Sequence, residues 1–283
     1  MRYDSSRDAL YRPQLLDPLD PALFAGKDDA RCAELSRLAY YAFPPDEARL
    51  DAALAALGFV SRSYFEDRQS NTQAMALIDA AGQAVIAFRG TQAGHPVDAI
   101  TDMSFRPVDW GRGGKVHLGF RSAYDSPSFN IRAALAGWLA DHRPGRLIAT
   151  GHSLGAALAT LLASDHPAAE LVTFGSPAVG NAAFAALFTG RAVRRYCNCC
   201  DIVVRVPPPL AGFRHTPGLR YIDRSGRIAA SEPTPAAIAA DTALAQTRYL
   251  QRALNPIANV ANRALADHAP VNYVSAVLGI RTG

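Results

Sequence analysis

The sequence predicts an α/β fold in which a mostly parallel sheet is covered by helices on both faces. Short apolar runs alternate with helical patterns between residues 129 and 200. The apolar runs are nearly continuous, as expected for strands that are buried on both faces. A chain of 283 residues, of which 49% are hydrophobic, is also long and apolar enough to bury one large core.

The elements follow one another in an order that suits this fold. Residues 29–57 predict two helices that are separated by "FPPDE", and the apolar runs 73–80 and 83–90 predict paired central strands. The alternating part then predicts a helix at 129–142, a strand at 146–150, a helix at 153–166, a strand at 170–176, a helix at 181–188 and a strand at 192–200.

We expect a single domain over residues 1–283, with an N-terminal helical segment at 1–60. The alanine-rich residues 235–266 predict two further helices, because Asn255 and Pro256 resemble an N-cap followed by a first helical residue. These helices stand outside the alternation of strands and helices. They therefore predict a helical insertion that covers the sheet as a cap.

Composition excludes several classes of protein. The net charge is +4, but the basic residues are scattered and lack interleaved aromatic residues, so we expect no nucleic-acid partner. No apolar run reaches the roughly 18 residues of a membrane span. Residues 1–20 lack the apolar stretch of a Sec-type signal, which leaves localisation open between the cytoplasm, another export route and a leader already removed. The sequence does not determine the oligomeric state.

The four cysteines are Cys32 and the group Cys197, Cys199 and Cys200. They are too few and too close together for a disulfide framework, and no second group of Cys or His residues stands at metal-ligand spacing. We expect reduced, buried thiols that serve packing, and no bound metal.

Ser153 is the candidate nucleophile. It lies in "GHSLG" (151–155), between a predicted strand and a predicted helix, where G-x-S-x-G forms a sharp turn that exposes the serine. Gly151 and Gly155 remove side chains that would clash in such a turn. The helix that follows points its free N–H groups at developing negative charge.

A serine hydroxyl needs a base, and the base needs an acid that orients it. In hydrolases of this kind the chain order is serine, acid, histidine. Only His166, His215 and His268 follow Ser153, and His268 is the best base because His166 lies in the helix after the serine and His215 lacks a neighbouring carboxylate. Asp201, at the end of a strand, is the preferred acid, and the alternatives are Asp223, Asp241 and Asp267.

Seven motifs stand in an order that matches a known family: "AFRGTQ" (87–92), "ITDMSF" (100–105), "VHLGFRSAY" (116–124), "GHSLGAALA" (151–159), "TFGSPAVGN" (173–181), "DIVVRVPP" (201–208) and "DHAPVNY" (267–273). With them, residues 73–278 resemble the class 3, fungal-type triacylglycerol lipase family of the α/β-hydrolase superfamily. The resemblance implies the α/β-hydrolase fold and a catalytic triad of Ser153, Asp201 and His268. It also implies an oxyanion hole built from Thr91, through its N–H and hydroxyl, and the N–H of Leu154.

The resemblance implies a serine ester hydrolase that cleaves acylglycerol-type lipid esters, in solution or at a lipid–water interface, without a metal or organic cofactor. Headgroup preference resides in loops, so a phospholipase A1 or a short-chain carboxylesterase stays open as an alternative. A lipid-binding module with an inactive site and a peptidase are weaker alternatives, because the triad and oxyanion residues are complete and no polar specificity pocket is evident.

Two departures from the family concern the cover of the site. The segment after Thr91, "QAGHPVDAITD", lacks the bulky lid tryptophan and offers chiefly Val97 and Ile100 as apolar lid residues. The competing hypothesis places Leu244, Leu250 and Leu254, in the helices at 235–266, over the site.

Overall fold

The computed structural model describes residues 1–41, 45–90, 105–252 and 260–281. Thr91, the lid residues Val97 and Ile100, and the predicted helix break at 254–256 lie outside the described residues. Among the helices that are described, none is both long enough and apolar enough to cross a membrane.

The described residues form the following strands, in chain order: β1 (Phe59–Asp67), β2 (Thr72–Asp79), β3 (Gln83–Phe88), β4 (Pro107–Asp109), β5 (Lys115–His117), β6 (Arg146–His152), β7 (Glu170–Phe174), β8 (Gly180–Asn181), β9 (Val193–Asn198), β10 (Phe213–Arg214) and β11 (Leu219–Ile222). Seven of them build the central sheet, in the order β1-β2-β3-β6-β7-β9-β11. The strands from β3 to β11 are parallel, and β1 and β2 extend the sheet as antiparallel neighbours. The predicted fold class is confirmed.

The described helices are α1 (Arg7–Tyr11), α2 (Asp28–Leu38), α3 (Glu47–Ala56), α4 (Leu118–Tyr124), α5 (Ile131–His142), α6 (Leu154–Asp165), α7 (Ala182–Ala186), α8 (Pro235–Arg252), α9 (Arg263–Ala266) and α10 (Pro270–Val277). Short 3-10 turns lie at Pro13–Leu15, Pro21–Phe24, Val203–Arg205 and Pro209–Ala211. The helix pair predicted within 29–57 corresponds to α2 and α3.

Two hydrophobic cores lie on opposite faces of the central sheet. Successive side chains of a strand point to opposite faces, and Val85 and Ile86 of β3 accordingly belong to different cores. Helices α2, α3 and α10 cover the face of Val85, and helices α4, α5 and α6 cover the face of Ile86. Full burial of one such side chain contributes about 1.5–3 kcal/mol to the stability of the fold. Apolar packing on both faces therefore stabilises the sheet between the two layers of helices.

The carboxyl ends of the parallel strands bring the predicted site residues to one edge of the sheet. Phe88 at the end of β3 pairs with Gly151 of β6, and Phe174 at the end of β7 pairs with His152. Asp201 follows the end of β9, next to β7. The chain segments after β3, β6 and β9 therefore leave the sheet side by side.

A small second sheet, in the order β10-β8-β5-β4, was not expected from the sequence. Its strands have only two or three residues each, which is too short for a recognisable pattern. Strands β1 and β11 were also missed. Both lie at the edges of the central sheet, where one side of the strand has no neighbour.

Candidate active site

Ser153 occupies a strained backbone position between strand β6 and helix α6. Its φ and ψ angles are 59° and −127°, a conformation that residues other than glycine rarely adopt. A Cβ atom at Gly151 would lie 2.3 Å from the carbonyl oxygen of Gly155, and one at Gly155 would lie 2.2 Å from that of Phe88. The two glycines therefore permit the sharp turn that their spacing predicted.

Ser153, His268 and Asp201 are joined by two hydrogen bonds. The Ser153 Oγ lies 2.9 Å from His268 Nε2, and His268 Nδ1 lies 2.8 Å from Asp201 Oδ2. A carboxylate only accepts, so Nδ1 carries the imidazole proton and Nε2 is left to accept the serine proton. All three side chains are buried, and Ser153 has no exposed surface.

The Asp201 carboxylate is held on both oxygens. Oδ1 accepts the backbone N–H of Val203 at 2.8 Å, and Oδ2 accepts the hydroxyl of Tyr273 at 2.6 Å. Burial raises the pKa of Tyr273 well above its ordinary value, so its hydroxyl stays protonated and donates. Gly175 lies against the same carboxylate with a φ of 59°, and a Cβ there would lie 2.8 Å from Oδ2.

His152 and Tyr40 form a chain of hydrogen bonds that reaches the main chain of His268. His152 Nε2 donates to the backbone carbonyl of His268 at 2.7 Å, which leaves Nδ1 to accept the Tyr40 hydroxyl at 2.8 Å. Burial lowers the pKa of His152 well below its ordinary value, so the ring stays neutral and keeps this tautomer. A Cβ at Gly90 would lie 2.0 Å from the Tyr40 hydroxyl, which places the residue before Thr91 against the same tyrosine.

The sequence did not single out Tyr40, His152 or Tyr273 as members of the site. His152 and Tyr273 lie within the motifs "GHSLG" and "DHAPVNY", so their closeness to Ser153 and His268 along the chain was a usable signal. Tyr40 has no such signal, because it is separated from His152 by 112 positions.

The alternative bases lie elsewhere. His166 follows the last turn of α6, about 20 Å along the helix from Ser153. The His215 Nε2 atom donates to the carbonyl of Val204 at 2.8 Å, and burial lowers the pKa of His215 to about 3. Neither ring contacts the serine hydroxyl.

The alternative acids have other partners. Asp223 accepts the hydroxyl of Ser225 at 2.6 Å within its own turn, and Asp241 accepts the hydroxyl of Tyr221 at 2.8 Å. Asp267 binds the Arg263 guanidinium at 3.1 Å. Asp201 is therefore the carboxylate that the structure places on His268.

Leu154 begins helix α6, and its N–H has no hydrogen-bond partner within the described part of the chain. Gly90 lies close to the carbonyl of His152, since a Cβ there would be 2.8 Å from that oxygen. The chain thus reaches Thr91 from a position beside the turn that carries Ser153. Thr91 itself lies outside the described residues.

Comparison with known proteins shows a similarity to one family over the central part of the chain. The sequence model of the family "Lipase (class 3)" matches residues 85–211, which include Ser153 and Asp201. The secreted mono- and diacylglycerol lipase 1 of Fusarium solani is 36% identical over 132 residues, or 44% of this chain and 40% of that protein. The lipase of Rhizopus niveus is 36% identical over 154 residues, or 50% of this chain and 38% of that protein.

The solved structure of lipase II from Rhizopus niveus has a TM-score of 0.53 to this chain at 29% identity, covering 71% of this chain and 79% of that one. The strand order, with a serine on the turn after a central parallel strand, defines an α/β hydrolase. Over residues 85–211 the chain is similar to the class 3 lipase family. The matched region spans about two fifths of the length of the two curated relatives.

Proposed function

We propose that the protein is a serine ester hydrolase that cleaves acylglycerol-type lipid esters through an acyl-enzyme. The hydrogen-bonded chain from Ser153 through His268 to Asp201, mounted on the strained turn after β6, carries this proposal. The match to the class 3 lipase family model and the lipases among the relatives support the substrate class.

Acylation begins when His268 Nε2 takes the hydroxyl proton of Ser153 and the serine oxygen attacks the ester carbonyl carbon. The imidazolium that forms is stabilised by Asp201, which accepts the proton on Nδ1 and fixes the tautomer. The C–O bond of the tetrahedral intermediate then breaks, and His268 gives its proton to the departing alcohol. The acyl group stays on Ser153.

Deacylation repeats these steps with water. His268 takes a proton from a water molecule, the oxygen of that water attacks the acyl carbon, and the returning proton releases Ser153. The fatty acid leaves as the second product. The same imidazole serves both halves because its orientation is fixed by Asp201 on one side and by the main-chain contact with His152 on the other.

The developing oxyanion needs donors aimed at the carbonyl oxygen. The Leu154 N–H, at the start of helix α6, supplies one donor and adds the favourable end of the helix dipole. The second donor is Thr91, through its N–H and hydroxyl. Its assignment rests on the family resemblance and on the position of Gly90 beside the catalytic turn.

An activity panel tests the proposal. Nitrophenyl esters of increasing acyl length are measured beside emulsified triacylglycerol, diacylglycerol and phospholipid, with the Ser153→Ala variant as the blank. We expect serine-dependent hydrolysis of nitrophenyl esters and acylglycerols. Cleavage confined to phospholipid would reassign the substrate class, and activity on peptides without activity on esters would overturn the proposal.

A further inference from the structure

A cluster of thiols and carboxylates lies beside the triad and takes no part in acyl transfer. Cys199 and Cys200 follow strand β9, Asp241 lies on helix α8, and Asp267 immediately precedes His268. We refer to Cys199, Cys200, Asp241 and Asp267 as the thiol cluster. Both cysteines are free and buried, as the sequence predicted, but the structure adds two carboxylates that sequence spacing did not bring near them.

Two distances within the cluster match the edges of a tetrahedral metal site. The two Sγ atoms are 3.6 Å apart, and the Cys199 Sγ is 3.3 Å from an Asp241 oxygen. A tetrahedral ion with bonds of about 2.3 Å to sulfur and 2.0 Å to oxygen would separate those pairs by about 3.8 Å and 3.5 Å. Ligand atoms of Cys199, Cys200 and Asp267 also lie within 4.8 Å of one another.

Charge balance permits a divalent cation at this place. Asp241 is already paired with Arg224, and Asp267 lies 3.1 Å from Arg263 and 3.5 Å from Arg281. Replacing the two thiol protons by one M²⁺ ion therefore leaves the net charge of the cluster unchanged, and two protons are released. Such an exchange avoids the cost of burying an unpaired charge.

We propose that Cys199, Cys200 and Asp267, with Asp241 beside the Cys199 sulfur, bind one thiophilic divalent cation of the zinc and cadmium class. Thiolate sulfur prefers such soft or borderline ions to magnesium or calcium. The thiols must lose their protons on binding. Because this proton loss accompanies binding, the affinity should increase with pH.

The bound ion would connect the two segments that carry the acid and the base. Cys200 precedes Asp201, Asp267 precedes His268, and the Cys200 N–H already donates to an Asp267 oxygen at 3.0 Å. The Asp241 carboxylate, which lies 3.3 Å from the Cys199 Sγ, adds helix α8 to this connection. The ion would act by holding the fold around the triad, because no cluster atom contacts Ser153 or the ring of His268 among the described contacts.

Cadmium titration of the reduced, full-length protein tests the site. The readouts are the ultraviolet charge-transfer absorption of the Cd–thiolate bonds, the bound cadmium after dialysis, and proton release in weakly buffered solution. We expect one Cd²⁺ per chain, release of about two protons near neutral pH and a higher melting temperature. Absence of the charge-transfer band in the wild-type protein would overturn the proposal.

Paired cysteine variants locate the site. In Cys199→Ser combined with Cys200→Ser, we expect the affinity for Cd²⁺ to fall about 100-fold or more. The matched control, Cys32→Ser combined with Cys197→Ser, also removes two buried thiols but lies outside the cluster, and should keep wild-type uptake. Equal uptake by the two double variants would contradict the assignment.

Two single carboxylate variants test the site even if the double cysteine variant fails to fold. Asp241→Asn should weaken Cd²⁺ binding about 10-fold or more, since it removes the negative charge beside the Cys199 sulfur. Asp223→Asn is the control, because Asp223 lies on the neighbouring turn and bonds only within it. Equal cadmium affinities in these two variants would show that no cation lies beside the Cys199 sulfur and would overturn the proposed site.

Discussion

Asp201 illustrates how much of the site depends on single atoms. Its Oδ2 accepts hydrogen bonds from both His268 and Tyr273, and its Oδ1 is occupied by a main-chain N–H. A carboxylate held in this way can only accept from the imidazole, which fixes the tautomer that acyl transfer requires. An amide at the same position could donate instead and would stabilise the wrong tautomer.

The first prediction separates Asp201 from its neighbours. We expect Asp201→Asn to lower kcat about 10³- to 10⁴-fold on a nitrophenyl ester, because the amide permits the unproductive tautomer. Asp223→Asn is the control and should stay within about tenfold of wild type, since Asp223 bonds only within its own turn. A larger loss in the control than in Asp201→Asn would relocate the acid.

The second prediction concerns the support from Tyr40. Tyr40→Phe removes the hydroxyl that donates to His152 and leaves the buried Nδ1 atom without this donor. We expect a loss of about 1–2 kcal/mol, seen as a 5- to 30-fold fall in kcat with little change in KM, because the support positions the His268 main chain.

The neighbouring tyrosine provides the matched control for this measurement. The Tyr41 hydroxyl donates to the carbonyl of Leu16, far along the chain from the triad residues. Tyr41→Phe should therefore lower stability by a similar amount without lowering kcat. Equal effects of the two substitutions on kcat would show that the Tyr40 contact has no positioning role.

Among the elements, helix α8 departs most from its expected role. The competing hypothesis placed Leu244 and Leu250 over the active site as part of its cover. In the structure these side chains are 50% and 68% exposed. That expectation is wrong for these two residues, because the buried face of α8 carries Ala245 and Tyr249 instead. Ala245 packs against Cys199 and Cys200 at the end of strand β9. The helix covers the thiol cluster.

The third prediction follows from this packing. Ala245→Leu adds bulk at a fully buried position and should lower the free energy of unfolding by about 1–3 kcal/mol. Leu244→Ala, one residue earlier on the exposed side, should change it by less than about 0.5 kcal/mol. Urea unfolding followed by circular dichroism measures both. If Leu244→Ala were the more destabilising change, the described orientation of α8 would be incorrect.

Sequence patterns predicted the parallel strands well because those strands are buried on both faces. The runs 146–150 and 170–176 correspond to β6 and β7 almost residue for residue. Strand β1 was missed because its sequence, "FVSRSYFED", is largely polar and its residues are mostly half-buried. Such a strand is specified by pairing with β2 rather than by its own hydrophobic pattern.

For the site, the order of motifs indicated which residues meet, but not what holds them. Ser153, Asp201 and His268 each lie in a motif whose position in the fold was predictable. The contact of Tyr40 with His152 depends on how helix α2 packs on the sheet, and that packing depends on many side chains at once. The contact of Asp241 with Cys199 was likewise not predictable from the sequence, because it depends on where helix α8 packs.

On the scale of the whole molecule, the two ends of the chain meet beside the catalytic loop. Tyr3 donates to Asp267 at 2.8 Å, and the Asp4 N–H donates to Asn272 at 2.9 Å. Asn272 returns a hydrogen bond to the Asp4 carbonyl at 2.6 Å. The position of His268 thus depends on the N-terminal residues as well as on the sheet, which links catalysis to overall stability.

The fourth prediction is a dependence of stability on pH. Burial lowers the pKa of His152 well below its ordinary value and that of His215 to about 3. In the unfolded chain both histidines bind protons below pH about 6.5, whereas the folded protein resists protonation. Stability should therefore fall as the pH drops from about 6.5, by up to about 1.4 kcal/mol per pH unit for each histidine.

Urea unfolding between pH 4.5 and 7 measures this slope. His215→Gln removes one titrating group away from the triad, so its slope should be shallower than that of the wild-type protein by up to about 1.4 kcal/mol per pH unit. A wild-type stability that is constant across this range, or an unchanged slope in the variant, would contradict the buried, neutral state of these rings.

The turnover of Ser153→Ala tests the central claim most directly. This substitution removes the nucleophile and leaves a small side chain at a fully buried position, so the melting temperature should stay near that of the wild-type protein. On a nitrophenyl ester we expect kcat to fall about 10⁴- to 10⁶-fold, with little further loss when His268→Ala is added. A folded Ser153→Ala protein that retains more than about a tenth of wild-type turnover would contradict the assignment of Ser153 as the nucleophile.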